Sequence, residues 1–281
     1  MKSILVLEGG ALRGIYTAGI LDMLLENNIE VDAVVGVSAG ALFGINYVSK
    51  QKGRCLKYNL EFCNNKNYMG YYSLLTTGNI MNKDFCFNKL IYETHPFDFE
   101  TFKKSKIKFY AVVTNLETGE AEYIPVKDLE QDMEYLRASG SMPLVSRTLK
   151  INNKKYLDGA IGDSIPYTWA KENGYDRIIV VETKPKDYRK KKAFMLPFRL
   201  RYFKYPNFVK AVSNRYLIYN KEKDLIKKDE NLGGVFVFRP SRNVPIKRIE
   251  KNPKLIQEMY DLGVSDFNER INEFKKFLSR K

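Results

Sequence analysis

Gly36-Val37-Ser38-Ala39-Gly40 is the stretch that most limits how this chain can fold. An apolar run, Asp32 to Val37, leads into it, and Ala39 to Val48 leaves it with helix-compatible spacing. A Ser on a sharp strand-to-helix turn takes a strained backbone angle, and small residues two before and two after it relieve the crowding. Its hydroxyl then stands at the carboxyl edge of a sheet, in front of a helix N-terminus that favours developing negative charge. The pattern points to a serine hydrolase. Short Gly/Ser runs also occur in plain loops, so other elements of the chain have to decide.

The first half alternates strand and helix signals. Ser3 to Leu7 reads as a buried strand, followed by a Gly-rich turn and an amphipathic helix from Ile15 to Asn27. Ala33 to Val37 is a second strand, Lys108 to Thr114 and Ala121 to Pro125 form a hairpin about Asn115 to Glu120, and Asp128 to Ser139 has helical periodicity. Lys154 to Leu157, Arg177 to Glu182 and Gly234 to Arg239 read as further strands. Ser265 to Leu278 reads as a capped terminal helix with Phe267, Ile271, Phe274 and Leu278 on one stripe. Strands alternating with helices predict an α/β fold with a mostly parallel sheet covered on both faces.

A second Gly-rich element, Glu8-Gly9-Gly10-Ala11-Leu12-Arg13-Gly14, closes the first strand. Backbone N–H groups exposed there can hold a phosphate or the oxyanion of a tetrahedral intermediate. The dinucleotide fingerprint is a competing reading, with Gly9 and Gly14 five apart and Asp32 downstream. Against it, Ala11 stands where the middle glycine should be, and Asp32 begins the second strand whereas a ribose-binding acid should end it. Ser38 also needs a base. The single histidine, His95, sits before Pro96 and would need an acid such as Asp84 or Glu93 between it and Ser38 in the chain. The other candidate is a carboxylate on a tight turn, Asp158-Gly159-Ala160, where burial would raise basicity.

Gly9-Gly10-Ala11-Leu12-Arg13-Gly14, then Gly36-Val37-Ser38-Ala39-Gly40, then Asp158-Gly159-Ala160, in this order, resemble the patatin-like phospholipase family. The resemblance spans residues 3–183 and includes Ala138-Ser139-Gly140-Ser141-Met142-Pro143, while 184–281 matches no motif of the family. It implies a three-layer α/β/α fold and a Ser38–Asp158 dyad without histidine. Ser38 would form the acyl-enzyme, Asp158 would act as general base, and the amides of Gly9, Gly10 and Ala11 would form the oxyanion hole. Gly14, Gly36, Gly40, Gly159 and Ala160 complete the motifs. Ala11 replaces a family glycine, which a negative φ would tolerate. Arg13 holds the family's basic position, expected to secure the loop to nearby carbonyls rather than attract an anionic head group. No metal and no organic cofactor are expected, and the substrate is expected to be a lipid, with small soluble esters or a non-catalytic phosphate-binding or dinucleotide-binding protein as the competing readings.

Charge is concentrated beyond that region. Lys184 to Lys228 carries 15 Lys and Arg against three acids, +12 of the chain's +14, interleaved with nine aromatics from Tyr188 to Tyr219. Cations beside apolar side chains suit peripheral contact with an anionic membrane through residues 184–228, and no recognition motif accompanies the charge to suggest nucleic acid. Residues 184–281 are expected to form a basic extension packed on or capping the hydrolase domain. Three cysteines (Cys55, Cys63 and Cys86) lack metal-ligand spacing and fit a reducing compartment. The start of the chain shows no signal-peptide layout, and no apolar run reaches the ~18 residues that span a bilayer. A cytoplasmic location, peripheral at a membrane, is expected.

Overall fold

The computed structural model describes residues 1–280. Its eight strands are β1 Ser3–Leu7, β2 Ala33–Val37, β3 Lys108–Asn115, β4 Ala121–Val126, β5 Leu149–Ile151, β6 Lys154–Asp158, β7 Arg177–Val181 and β8 Val235–Phe238. The helices in chain order are α1 Ile15–Glu26, α2 Ala39–Val48, α3 Arg54–Phe62, α4 Tyr71–Thr77, α5 Phe99–Lys104, α6 Leu129–Ser139, α7 Tyr167–Glu172, α8 Leu196–Arg201, α9 Pro206–Asn231 and α10 Pro253–Leu278. A wider helical segment, Phe85–Thr94, precedes α5.

One mixed sheet runs through the molecule. β1 pairs in parallel with β2 and β7, β2 with β3, and β7 with β8, whereas β4 and β6 pair antiparallel with β3 and β5 antiparallel with β6. The central strands are buried on both faces, which explains their continuous Val, Ile and Leu content. Alternation divides that content between two cores. Leu5, Leu7, Val34, Ile179 and Phe238 face α1, α2 and α10, while Ile4, Val6, Val35, Val180 and Val237 face α7 and α9. The result is three layers, helix on sheet on helix.

The most consequential register lies on β3. One of its edges carries β4 along Phe109 to Thr114. The other carries β2 as far as Val112, opposite Val37, and then β6 from Val113, opposite Asp158. The end of β2 and the end of β6 therefore meet at successive residues of one strand.

One expectation needs correction. The terminal helix begins at Pro253, not near Ser265, because the Asn252 side chain accepts the Lys254 N–H at 3.0 Å and Pro253 fits the first turn, where no N–H is needed. Beyond residue 183, β8 extends the sheet beside β7, and α10 packs along α1. Phe274 of α10 is fully buried against Phe236 and Phe238 at 4.9 and 5.2 Å between ring centroids. We expect Phe274→Ala to lower the unfolding free energy by about 3–5 kcal/mol, the usual cost of such a cavity, within one cooperative urea transition. Two separate transitions would show that the C-terminal segment folds apart from the sheet.

Candidate active site

Ser38 occupies the turn between β2 and α2 at φ 54° and ψ −119°, a conformation that L residues rarely adopt. Close packing enforces it. A Cβ at Gly36 would lie 2.6 Å from the Ala41 nitrogen, and one at Gly40 would lie 2.4 Å from the Leu7 carbonyl oxygen. The Ser38 N–H donates to Ser139 Oγ at 2.9 Å, which ties the turn to the end of α6. Its hydroxyl donates to Asp158 Oδ2 at 2.9 Å.

Asp158 is held from several directions. Its N–H donates to the Ser141 carbonyl at 2.9 Å, its carbonyl accepts from Thr114 Oγ1 at 2.8 Å, and Oδ1 accepts the Ala160 N–H at 2.9 Å. Gly159 is there because the main chain passes against β3, where a Cβ would lie 2.1 Å from the Val112 carbonyl oxygen. Burial pushes the Asp158 carboxyl above its ordinary range; the Arg215 cation, the Ala160 N–H and the Ser38 hydroxyl pull it partly back.

The loop after β1 faces this pair. The N–H groups of Gly10 and Ala11 have no acceptor among the described residues, whereas the Gly9 N–H points at the Ser164 carbonyl over a long 3.5 Å. Glu8 braces the loop from below, accepting from the Thr183 N–H at 2.5 Å and from the Tyr219 hydroxyl at 2.8 Å. Gly10 fits against Thr183, whose Oγ1 would lie 2.6 Å from a Cβ. Ala11 departs from expectation, standing at φ 50° and not below zero. Arg13 departs too: among the described residues its guanidinium bonds no carbonyl, and the loop is secured by Leu12 N–H to the Arg248 carbonyl (3.3 Å) and by Glu8. Gly14 packs against Ala39, beside the Ser38 turn.

Two cavities meet at Ser38. One is apolar, lined by Leu42, Phe43, Phe87, Leu90, Met133 and Leu136 among others. The second is polar and contains Ser38, Asp158, Gly9 and Gly10 together with Arg13, Lys184, Lys190, Arg215 and Arg248. Lys190 and Arg215, which sequence reasoning assigned to a basic surface, reach into this site. Lys190 Nζ donates to Ser164 Oγ at 3.1 Å and lies 4.0 Å from the Tyr219 ring centre, and Arg215 Nε donates to the Ala160 carbonyl beside Asp158.

His95 lines neither cavity. Its Nε2 lies 2.9 Å from Glu61, its ring packs edge-on to Tyr58 and Phe62, and Asp84 and Glu93 are exposed. Asp32 accepts the Ser3 N–H and hydroxyl at 2.6 and 2.7 Å, at the start of β2 and therefore at the far end of the strand from the Gly-rich loop. That placement removes the ribose-binding role of the dinucleotide reading. Among the described residues no cluster of His, Cys, Asp and Glu could hold a metal ion.

Comparison with known proteins identifies the family. A family model described as patatin-like phospholipase matches residues 5–170, and one described as a domain of unknown function, DUF6363, matches 205–279. Uncharacterized protein YjjU of Escherichia coli K12 is 26% identical over 187 residues, covering 64% of this chain and 52% of that protein. Lysophospholipase NTE1 of Cryptococcus neoformans is 30% identical over 199 residues, covering 66% of this chain but 12% of that protein. The chain thus spans about half the length of the first relative and a small part of the second. Among solved structures, VipD from Legionella pneumophila aligns over 95% of this chain and 67% of its own at 13% identity, with a TM-score of 0.42.

The positive φ of Ala11 has a measurable consequence. A left-handed backbone costs a non-glycine residue roughly 1–2 kcal/mol, and glycine's extra chain entropy costs about 0.5–1 kcal/mol. Ala11→Gly is therefore expected to stabilise the protein by up to about 1.5 kcal/mol in a urea titration. A loss of twice that would mean that the Ala11 methyl is packed, not strained.

Proposed function

Since this chain belongs to the patatin-like phospholipase family, we propose that it hydrolyses carboxylic ester bonds of lipids with Ser38 as nucleophile and Asp158 as general base. The observation that carries the reading is the 2.9 Å hydrogen bond from the Ser38 hydroxyl to Asp158 Oδ2 at the junction of the two cavities. An acyl chain in the apolar cavity brings its ester carbonyl to Ser38. As Oγ attacks, its proton passes to Asp158, and the carbonyl oxygen becomes an oxyanion. The unpaired N–H groups of Gly10 and Ala11 receive that charge, joined by Gly9 once its long bond to Ser164 gives way. Asp158 returns the proton to the leaving alcohol, then takes one from the water that hydrolyses the acyl-enzyme. A raised carboxyl pKa makes the carboxylate a stronger proton acceptor, and the carboxylic acid so formed still gives its proton up to the far more basic departing alkoxide. The apolar lining favours a lipid over a small soluble ester.

Access to packed lipid is the second requirement. Phe194, Leu196, Leu200 and Phe203 are exposed around α8, beside Arg199, Arg201 and Lys204, while Phe198 of the same helix lines the polar cavity. We place this surface against an anionic membrane, where each Lys or Arg contributes about 1 kcal/mol. No helix among the described residues is long and apolar enough to cross a bilayer. The three cysteines are buried free thiols, which fits a cytoplasmic setting.

Ser38→Ala and Asp158→Asn are expected to abolish ester hydrolysis, by about a thousandfold or more for loss of a covalent-catalysis partner, whereas His95→Ala keeps wild-type rates. Fluorophosphonate labelling of Ser38 and release of fatty acid check both. A folded but inactive His95→Ala protein would sink the dyad. The carboxylate form of Asp158 is the active one, so kcat/KM should fall as pH drops, with its acid limb above the ordinary Asp value of about 4. A limb that disappears with His95→Ala would count against Asp158. For the membrane surface, Leu200→Ser/Phe203→Ser should weaken sedimentation with phosphatidylglycerol vesicles severalfold. Equal sedimentation with neutral vesicles, or no change in the variant, would refute that placement.

A further inference from the structure

The polar cavity beside Ser38 holds more cationic charge than the hydrolysis of an ester needs. Arg13 comes from the loop after β1, Lys184 and Lys190 follow β7, Arg215 stands on α9, and Arg248 precedes α10. Four separate stretches of chain therefore aim cations at one space, which a solvated face of a single helix does not do. None of the five forms an ion pair among the described residues. The two carboxylates of the cavity are already engaged, Glu8 by Thr183 and Tyr219, and Asp158 by Ser38 and Ala160.

Most of the donors are free as well. Arg13, Lys184 and Arg248 bond no acceptor through their side chains among the described residues; Lys190 uses one donor, on Ser164, and Arg215 uses only Nε. Crowding shows in their protonation. Burial and the neighbouring Arg215 push Lys190 down to about 7, and burial with Arg13 lowers Lys184. Like charges gathered in a half-buried site destabilise one another until an anion joins them.

We infer that this cavity is a subsite for a phosphate monoester, so that the preferred substrate is a lipid whose head group ends in a bare phosphate. The inference rests on Ser38 being the reacting residue. Ala11, Ser38, Met142 and Arg248 line both cavities. An ester held at Ser38 therefore sends its acyl chain into the apolar side and its head group into the cationic side. A phosphate monoester brings a charge of about −1.5 to −2 at neutral pH and three acceptor oxygens, which match the unused fork donors of Arg13, Arg215 and Arg248. A choline head group brings one negative charge and places a fixed cation among the five.

Binding to the full-length Ser38→Ala protein, measured by calorimetry below the critical micelle concentration, tests this without turnover. Lysophosphatidic acid should bind at least tenfold tighter than lysophosphatidylcholine of the same chain, and Lys184→Gln/Arg248→Gln should bring that ratio close to one. Arg13→Gln, a second variant at an unpaired cation, should reduce it in the same direction. Lysophosphatidic acid should also bind at least tenfold tighter than glycerol 3-phosphate, since the apolar cavity is part of the site. Equal affinity for the two lysolipids, or a ratio untouched by both variants, overturns the subsite. Glycerol 3-phosphate binding as tightly as the lysolipid overturns the lipid source. Failure of the catalytic reading shows separately, as wild-type protein that a fluorophosphonate does not label at Ser38.

Discussion

Strand β3 lends one edge to two partners in turn, and the meeting of Ser38 with Asp158 depends on that sharing. β2 occupies the edge up to Val112 and β6 takes it over at Val113, so Val37 and Asp158 sit opposite successive residues. Ser38 follows Val37 directly. Main-chain hydrogen bonding thus brings together two side chains 120 residues apart in sequence, before either side chain makes a contact of its own. Such register tolerates little slippage, because a one-residue shift of β6 would turn Asp158 to the other face of the sheet. Ser139 and Ser141, at the end of α6, lock the arrangement from outside by accepting the Ser38 and Asp158 N–H groups.

Around this fixed pair the environment changes sharply over a few ångströms. Leu, Met and Phe side chains lie on one side of Ser38, and guanidinium and ammonium groups on the other. Asp158 lines the cationic side alone, where burial raises its basicity while Arg215 favours its charged form. Desolvation and a nearby cation act on this carboxyl in opposition.

Much of this was legible in the chain. Strands β1, β2 and β7 are short β-branched runs punctuated by Gly or polar residues, and buried parallel strands leave that signature. The motifs around Ser38 and Asp158 were legible because close backbone approach at Gly36, Gly40 and Gly159 excludes every other side chain. Helix α9 was not, since its residues are polar and charged around most of its circumference and its buried face is sparse. The same mixture hid Lys190 and Arg215. A charge run is read from its neighbours along the chain, and only folding shows which of its members turn inward. Ala11 also ran against expectation, because a loop braced by Glu8, Thr183 and Tyr219 can hold an alanine at an angle that local preference would refuse.

The position of β8 gives the molecule an order of completion. Ser38, Asp158 and the Gly-rich loop all lie N-terminal to residue 170, within the part that the family model covers. Yet the sheet edge at β7 stays open until β8 is added, and the apolar side of α1 stays uncovered until α10 arrives. A nascent chain emerging from the ribosome therefore carries both Ser38 and Asp158 while a hydrogen-bonding edge and a greasy helix face are still bare. In this protein the segment from β8 to α10 is the one that covers both.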